Sequence, residues 1–165
     1  MDRTKQIAAL LAAAEMSLSA GSAAQAYDAG MAEMYAKMFA PTSGAAAEKE
    51  LRFVKPESFV KDIQAGKKVV TLDVRTPEET KVLGMTLPDS IAMPADQLFK
   101  PENLSKVPAD KQVLVVCKSG ARAAVAGTAL RSLGFENVHV LKGGLEALAA
   151  YYGAKEAYPE AEGKK

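Results

Sequence analysis

The residues with the clearest chemical potential surround Cys117, the only cysteine among 165 residues. Cys117 follows the apolar run Val113–Val116 and precedes Lys118, Ser119, Gly120, Ala121 and Arg122, where a helical pattern begins. A loop between a strand and a helix turns backbone N–H groups and the positive end of the helix toward its first residue. With the charges of Lys118 and Arg122, this arrangement favours the thiolate form of the sulfur and predicts a nucleophile. A purely structural cysteine needs neither a Ser-Gly turn nor two neighbouring cations.

The composition excludes several other kinds of site. The chain has 21 basic and 20 acidic residues, so it lacks the strong field expected of a nucleic-acid-binding protein. One cysteine and one histidine, His139, are too few for a structural zinc site, which normally takes four such ligands. His139 lies within Val138–Leu141, which reads as a strand, so we interpret it as a strand residue and not as the partner of a catalytic cysteine.

Residues 1–26 resemble a secretory signal. Two basic residues, Arg3 and Lys5, precede the apolar stretch Ile7–Ala14, and Ala24-Gln25-Ala26 fits a cleavage pattern of small residues. Glu15 limits the apolar stretch to eight residues, which is too short for a transmembrane span of about 20. The pattern predicts export, and the alternative is an alanine-rich amphipathic helix on a cytoplasmic protein.

A helical extension and a linker are predicted at residues 27–49. Tyr27, Met31, Met34, Tyr35 and Met38 fall on one face of a helix, and this face must be covered by the chain's own domain or by a second subunit. Pro and Ser-Gly residues at 41–44 then indicate a linker. The main domain is predicted at residues 50–152, followed by a charged, flexible tail at 153–165.

The main domain alternates apolar runs with helical patterns. Strands are predicted at 51–54, 69–74, 90–93, 113–116 and 138–141, and helices after Pro56, at 77–83, at 121–133 and from Gly143-Gly144 to Tyr152. Thr76, Pro77 and Glu79 form the pattern of a capping box. This alternation predicts an α/β fold with a mostly parallel sheet and helices on both faces. Asp73-Val74-Arg75 and Cys117 then share the carboxyl edge of the sheet, where such folds bind ligands.

These segments together resemble a single rhodanese domain. The resemblance rests on Leu72–Glu79, on Val113–Arg122, on the helix Ala123–Leu133 with Gly134-Phe135 after it, and on Leu141-Lys142-Gly143-Gly144. It spans roughly residues 50–152. Within that family, Ala121–Ala124 after the cysteine-lysine pair and the helical extension are most similar to the periplasmic polysulfide-sulfur transferase (Sud) type.

The resemblance implies a sulfurtransferase that needs no cofactor or metal. Cys117 would take sulfane sulfur from polysulfide or thiosulfate, hold it as a persulfide, and pass it to a thiol, cyanide or a protein acceptor. The Sud type further implies a periplasmic homodimer and a sulfur or polysulfide reductase as partner. No nucleic acid is expected.

Roles for the other site residues follow from the resemblance and from charge. The loop residues Lys118, Ser119, Gly120, Ala121 and Arg122 are expected to bind the anionic donor, and Arg122 alternatively pairs with Asp73 or Glu79 to fix the loop. Arg75 either lines the donor entrance or pairs with Glu79 one turn further on. Asp73 is expected to orient its neighbours.

Two other functions use the same cysteine. A phosphatase or arsenate reductase of this fold carries five residues between cysteine and arginine, whereas Cys117 and Arg122 are separated by four, which makes a smaller cradle. A sulfur carrier or sensor would form the same persulfide without independent turnover.

Overall fold

The computed structural model describes residues 27–40 and 51–152. The chain divides into two units at residues 37 and 38, and helix α1 (Ala29–Phe39) begins in the first unit and ends just after this boundary. The Asp28 carboxylate accepts the N–H of Met31 at 2.9 Å and caps the start of α1. Tyr27 precedes the helix, and the side chain of Met38 is outside the described part.

Three predicted segments lie outside the described residues. They are the signal-like segment 1–26, the linker within 41–49 and the tail 153–165. Among the helices in the described ranges, none is long and apolar enough to cross a membrane.

A five-stranded parallel sheet forms the centre of the second unit. Its strands are β1 (Phe53–Val54), β2 (Val69–Asp73), β3 (Ser90–Ala92), β4 (Gln112–Val116) and β5 (Val138–Leu141). Their spatial order is β1-β5-β4-β2-β3, and every neighbouring pair is parallel. β1 is shorter than predicted because Arg52, at φ +52°, leaves the extended conformation.

Six helices accompany the sheet in the described part of this unit: α2 (Pro56–Gln64), α3 (Pro77–Val82), α4 (Ala95–Leu98), α5 (Pro101–Leu104), α6 (Ala121–Ser132) and α7 (Gly144–Tyr151). The short helices α4 and α5 were not predicted. Alternate residues of β4 face opposite sides of the sheet, because side chains alternate along a strand. Val113 and Val115 pack in a core with Leu130 of α6, whereas Leu114 and Val116 pack in a second core with Phe59 of α2. The predicted α/β fold, with helices on both faces, is confirmed.

The register of the sheet brings the ends of β2 and β4 together. Asp73 pairs with Val116, and the N–H of Val74 donates to the Val116 carbonyl at 2.9 Å. The chain segments that begin at Arg75 and Cys117 therefore leave the same edge of the sheet side by side.

Candidate active site

The sulfur of Cys117 is held inside the loop that follows β4. The residue is only 1% exposed, and its Sγ accepts hydrogen bonds from the N–H groups of Gly120 at 3.2 Å and Ala123 at 3.4 Å. Backbone donors aimed at one sulfur stabilise negative charge on it. The loop predicted from the sequence therefore directs two backbone N–H groups, those of Gly120 and Ala123, at the sulfur atom.

Gly120 gives the loop its curvature. Its φ of +92° lies in the left-handed region, where residues with a Cβ atom are strained. This conformation turns the Gly120 N–H back onto Sγ, while the Gly120 carbonyl accepts the N–H of Ala124 in the first turn of α6. One glycine thus closes the loop and starts the helix.

The start of α7 holds the loop from the other side. The carbonyls of Cys117 and Lys118 accept the N–H groups of Leu145 at 2.9 Å and Glu146 at 3.0 Å. In a planar trans peptide the N–H points opposite to the C=O, so the N–H groups of Lys118 and Ser119 point away from α7. The side chains of Lys118 and Ser119 are exposed.

Gly144 allows this close approach. A Cβ atom on Gly144 would lie 2.5 Å from the carbonyl oxygens of Cys117 and Lys118 and 2.6 Å from the Gly120 nitrogen. The sequence indicated only a turn at Gly143-Gly144. The contact with the cysteine loop was missed because it joins segments that are distant in the chain.

Arg122 joins the loop to α3. Its guanidinium makes a bidentate pair with Glu79, with Nη1–Oε2 and Nη2–Oε1 distances of 2.8 and 2.6 Å. Of the two partners considered from the sequence, the structure shows Glu79. The hydrogen bond to Glu79 is the main cause that raises the pKa of Arg122, and Cys117 raises it further. Arg122 directly precedes Ala123, whose N–H donates to the sulfur.

Glu79 is itself fixed by the predicted capping box. Its carboxylate accepts the Thr76 N–H at 3.0 Å, and its own N–H donates to the Thr76 hydroxyl at 3.3 Å. The bond from Arg122, followed by the bond from Thr76, lowers the pKa of Glu79 to about 2. Glu79 is therefore an ionised anchor for Arg122 over the working pH range of proteins.

Arg75 lies in a different place from the one expected. Its side chain is 5% exposed, and its guanidinium binds the Asp73 carboxylate, with an Nη2–Oδ2 distance of 2.7 Å, and the Leu83 carbonyl. The hydrogen bond that Arg75 donates to Asp73 raises the pKa of Arg75. Arg75 thus neither lines an entrance nor forms the expected hydrogen bonds with Glu79. It pairs with Asp73 because the turn after β2 brings residues two apart together.

Lys118 and His139 were also considered from the sequence, and the structure places them apart from the sulfur contacts described above. The Lys118 ammonium is exposed and lies 3.5 Å from the Glu146 carboxylate. His139 is in the middle of β5, in register with Leu114, and burial lowers the pKa of its imidazole. It belongs to the sheet and not to the cysteine loop.

The sequence and fold also match a known family. Residues 56–151, more than half of the chain, match the model of the rhodanese-like domain. The chain belongs to the rhodanese family. In this rhodanese the matched range includes the loop from Cys117 to Arg122, and β1 of the same sheet precedes the matched range.

Curated relatives include two sulfurtransferases. A sulfurtransferase from Allochromatium vinosum is 34% identical over 95 residues, which cover 58% of this chain and 85% of the relative. The mitochondrial thiosulfate sulfurtransferase RDL2 of Saccharomyces cerevisiae is 30% identical over 96 residues, which cover 53% of this chain and 64% of the yeast protein. This chain therefore spans slightly less than two thirds of the yeast relative.

Solved structures show the same fold. A rhodanese-related protein from Thermoplasma volcanium has 28% identity and a TM-score of 0.51, and the alignment covers 66% of this chain and 95% of that one. A rhodanese-like domain protein from Staphylococcus aureus has 26% identity and a TM-score of 0.53, with coverage of 59% and 91%.

Proposed function

We propose that this rhodanese is a sulfurtransferase that carries sulfane sulfur on Cys117 as a persulfide. The observation that carries the proposal is the pair of backbone N–H groups, from Gly120 and Ala123, on a cysteine sulfur at the carboxyl edge of the sheet. Relatives described as a sulfurtransferase and as a thiosulfate sulfurtransferase support the reaction class. The proposed donors are polysulfide and thiosulfate, and the proposed acceptors are cyanide, a thiol or a protein.

In the first half-reaction, the Cys117 thiolate attacks the outer sulfur of the donor. A new S–S bond forms to Cys117, and the S–S bond within the donor breaks with its electron pair on the leaving group. Thiosulfate leaves as sulfite, and a polysulfide leaves as a dianion one sulfur shorter. This covalent intermediate is typical of two-step nucleophilic catalysis, and it needs no general base once the thiol is ionised.

In the second half-reaction, the acceptor attacks the outer sulfur of the persulfide and Cys117 leaves as the thiolate. With cyanide the product is thiocyanate. The charge on the outer sulfur needs donors that are already in place, and we propose the N–H groups of Lys118 and Ser119, which point away from α7, for this role. Gly120 and Ala121 shape the loop and the start of α6 around that sulfur.

The side chains of Arg122 and Lys118 supply the positive charge for anionic donors. Glu79 binds both terminal nitrogens of Arg122 and so fixes this guanidinium at the end of the cysteine loop. Lys118 is exposed at the outside of the loop and attracts an approaching anion. Asp73 and Arg75 form a buried ion pair with each other and are not proposed to touch the donor.

Export, dimerisation and a partner remain parts of the proposal that rest on the sequence. The signal-like residues 1–26 support a periplasmic protein, and the exposed Tyr27 and Met31 of the predicted apolar face support a homodimer. A sulfur or polysulfide reductase is the proposed protein acceptor. The mass of the mature chain and its size in solution test the first two points.

Thiocyanate formation from cyanide tests the proposed function. With thiosulfate or polysulfide as donor, the wild-type protein is expected to turn over many times, whereas Cys117→Ser, folded according to circular dichroism, is expected to form no thiocyanate above the uncatalysed rate. Activity retained in Cys117→Ser would disprove the proposed nucleophile. A protein that loads one sulfur and transfers it only to a protein thiol would instead be a sulfur carrier or sensor.

A further inference from the structure

An open groove of about 460 Å³ lies next to the cysteine loop, on the side of α4 and α6. It shares two residues with the site already described, Ala121 and Arg122. Its remaining lining comes from Val125 and Ala126 of α6, from Ala95 of α4, and from Phe99 at the end of α4. The groove therefore runs from the Ala121–Arg122 end of the cysteine loop to the protein surface.

Backbone contacts explain why α4 forms one wall of this groove. The N–H of Met93 donates to the Asp73 carbonyl at 2.9 Å, and the N–H of Ala95 donates to the Val74 carbonyl at 3.2 Å. These bonds fix the start of α4 at the same edge of the sheet as Cys117. Leu98 is fully buried and anchors α4, so the neighbouring Phe99 is left at the surface.

Apart from Arg122, every residue that lines the groove has an apolar side chain. Val125 is 73% exposed and Phe99 is 41% exposed. Val125 lies one helical turn after Arg122 and shares its side of α6, because residues three apart are neighbours on a helix. A ligand that leaves Cys117 along this groove therefore meets one guanidinium and two large apolar side chains.

The two proposed donors differ in how favourably they contact apolar side chains. Thiosulfate is compact, and three hydrated oxygens surround its inner sulfur. Contact with apolar side chains would remove water from these oxygens, and the apolar groups could not replace the hydrogen bonds that the water made. A polysulfide chain carries its charge toward the ends, and its inner sulfurs are uncharged and polarisable, a property that favours contact with aromatic and aliphatic groups.

We propose that Phe99 and Val125 determine donor specificity by favouring polysulfide over thiosulfate. The inference rests on the proposed function and assigns a role to residues outside the loop. The outer sulfur of the polysulfide binds at Cys117 while the inner sulfurs lie against Phe99 and Val125. After the S–S bond breaks, the shortened polysulfide dianion departs along this groove, and the loop retains the persulfide.

The size of the effect follows from the exposed area. A phenylalanine side chain offers about 200 Å², and covering roughly half of the exposed fraction of Phe99 at about 25 cal/mol per Å² changes binding by about fivefold. Val125→Thr keeps the shape and replaces one methyl group, for which about threefold is expected. Because the two side chains act on different parts of the chain donor, the double variant is expected to lose about 15-fold.

The test compares kcat/KM for inorganic tetrasulfide and for thiosulfate, without oxygen, with cyanide as acceptor. Phe99→Ser and Val125→Thr are expected to lower the tetrasulfide value by these factors and to change the thiosulfate value less than about twofold. Leu133→Ser is the matched control, because Leu133 is an exposed apolar residue at the opposite end of α6, and it is expected to change neither value.

Two results would overturn the assignment. Equal losses for both donors would mean that Phe99 and Val125 act through the loop or the fold, and an unchanged tetrasulfide value in the double variant would mean that the chain does not contact them. A wild-type protein that accepts sulfur from neither donor would instead overturn the proposed function itself.

Discussion

Replacing Gly144 with alanine is expected to displace the cysteine loop. The new Cβ atom would lie 2.5 Å from the carbonyl oxygens of Cys117 and Lys118, and all the atoms it meets in the loop belong to the backbone. No side-chain rotation can relieve such contacts. Restoring an ordinary contact of 3.4 Å requires the loop and the start of α7 to separate by about 0.9 Å.

The expected losses differ for activity and stability. A displacement of about 1 Å in a positioned nucleophile can lower turnover by about 10²-fold. Gly144 has a φ of +61°, so alanine also adds strain of about 1–2 kcal/mol, and the close contacts add about 1–3 kcal/mol. The sum of about 2–5 kcal/mol does not exceed the total stability of about 5–15 kcal/mol for an ordinary domain, so the variant is expected to fold.

Gly66→Ala is the control that separates the effect of backbone strain at a positive φ from the effect of close contacts with the loop. Gly66 has a similar φ of +75°, but, apart from Gly66 and its two chain neighbours, no heavy atom of the described residues lies within 4 Å of the place where its Cβ atom would be. We expect urea unfolding to show a loss of about 1–2 kcal/mol for Gly66→Ala with turnover nearly unchanged. Thiocyanate turnover and the rate of Cys117 alkylation by neutral iodoacetamide report the loop in both variants. A folded Gly144→Ala with both rates within about threefold of Gly66→Ala would refute the claim that α7 positions the loop.

Three other substitutions test the charged groups. Asp73→Asn leaves the Arg75 guanidinium buried without its anion, and urea unfolding is expected to show a loss of about 3–5 kcal/mol; a loss below about 1 kcal/mol would contradict the buried pair. The bond from Arg122 holds the pKa of Glu79 at about 2, below its ordinary 4.5, so ionised Glu79 stabilises the fold above about pH 4.5 and this contribution disappears as the pH falls toward 2. The difference in unfolding free energy between wild type and Glu79→Gln should therefore shrink over that interval, and a constant difference would refute the assignment. Lys118→Ala is expected to slow loading by anionic donors more than alkylation by iodoacetamide, and equal effects would mean that Lys118 does not attract the donor.

Local sequence signals predicted the elements that carry the site. The Thr76-Pro77-Glu79 pattern is found as a complete capping box, because its hydrogen bonds join residues three apart. The apolar run before Cys117 and the Ser-Gly turn after it predicted a strand, a loop and a helix, and these are β4, the cysteine loop and α6. Contacts between residues a few positions apart can therefore be predicted from the sequence.

The contacts of α7 with the cysteine loop and the wall of the groove were not predicted. The bonds from Leu145 and Glu146 to the loop depend on β5 lying beside β4, and the strand order is set by the packing of the whole domain. The helices α4 and α5 have four residues each, too few to show a helical period, so the groove wall at Phe99 was missed. Helical spacing suggested Glu79 as a partner for Arg75, whereas the turn after β2 supplied Asp73.

Intact-mass measurement after brief exposure to polysulfide or thiosulfate tests the central claim most directly. The account predicts that the wild-type protein gains the mass of one sulfur atom, that cyanide removes it, and that Cys117→Ser gains nothing under the same conditions. Absence of added sulfur from both donors, or the same addition in Cys117→Ser, would contradict a persulfide on Cys117.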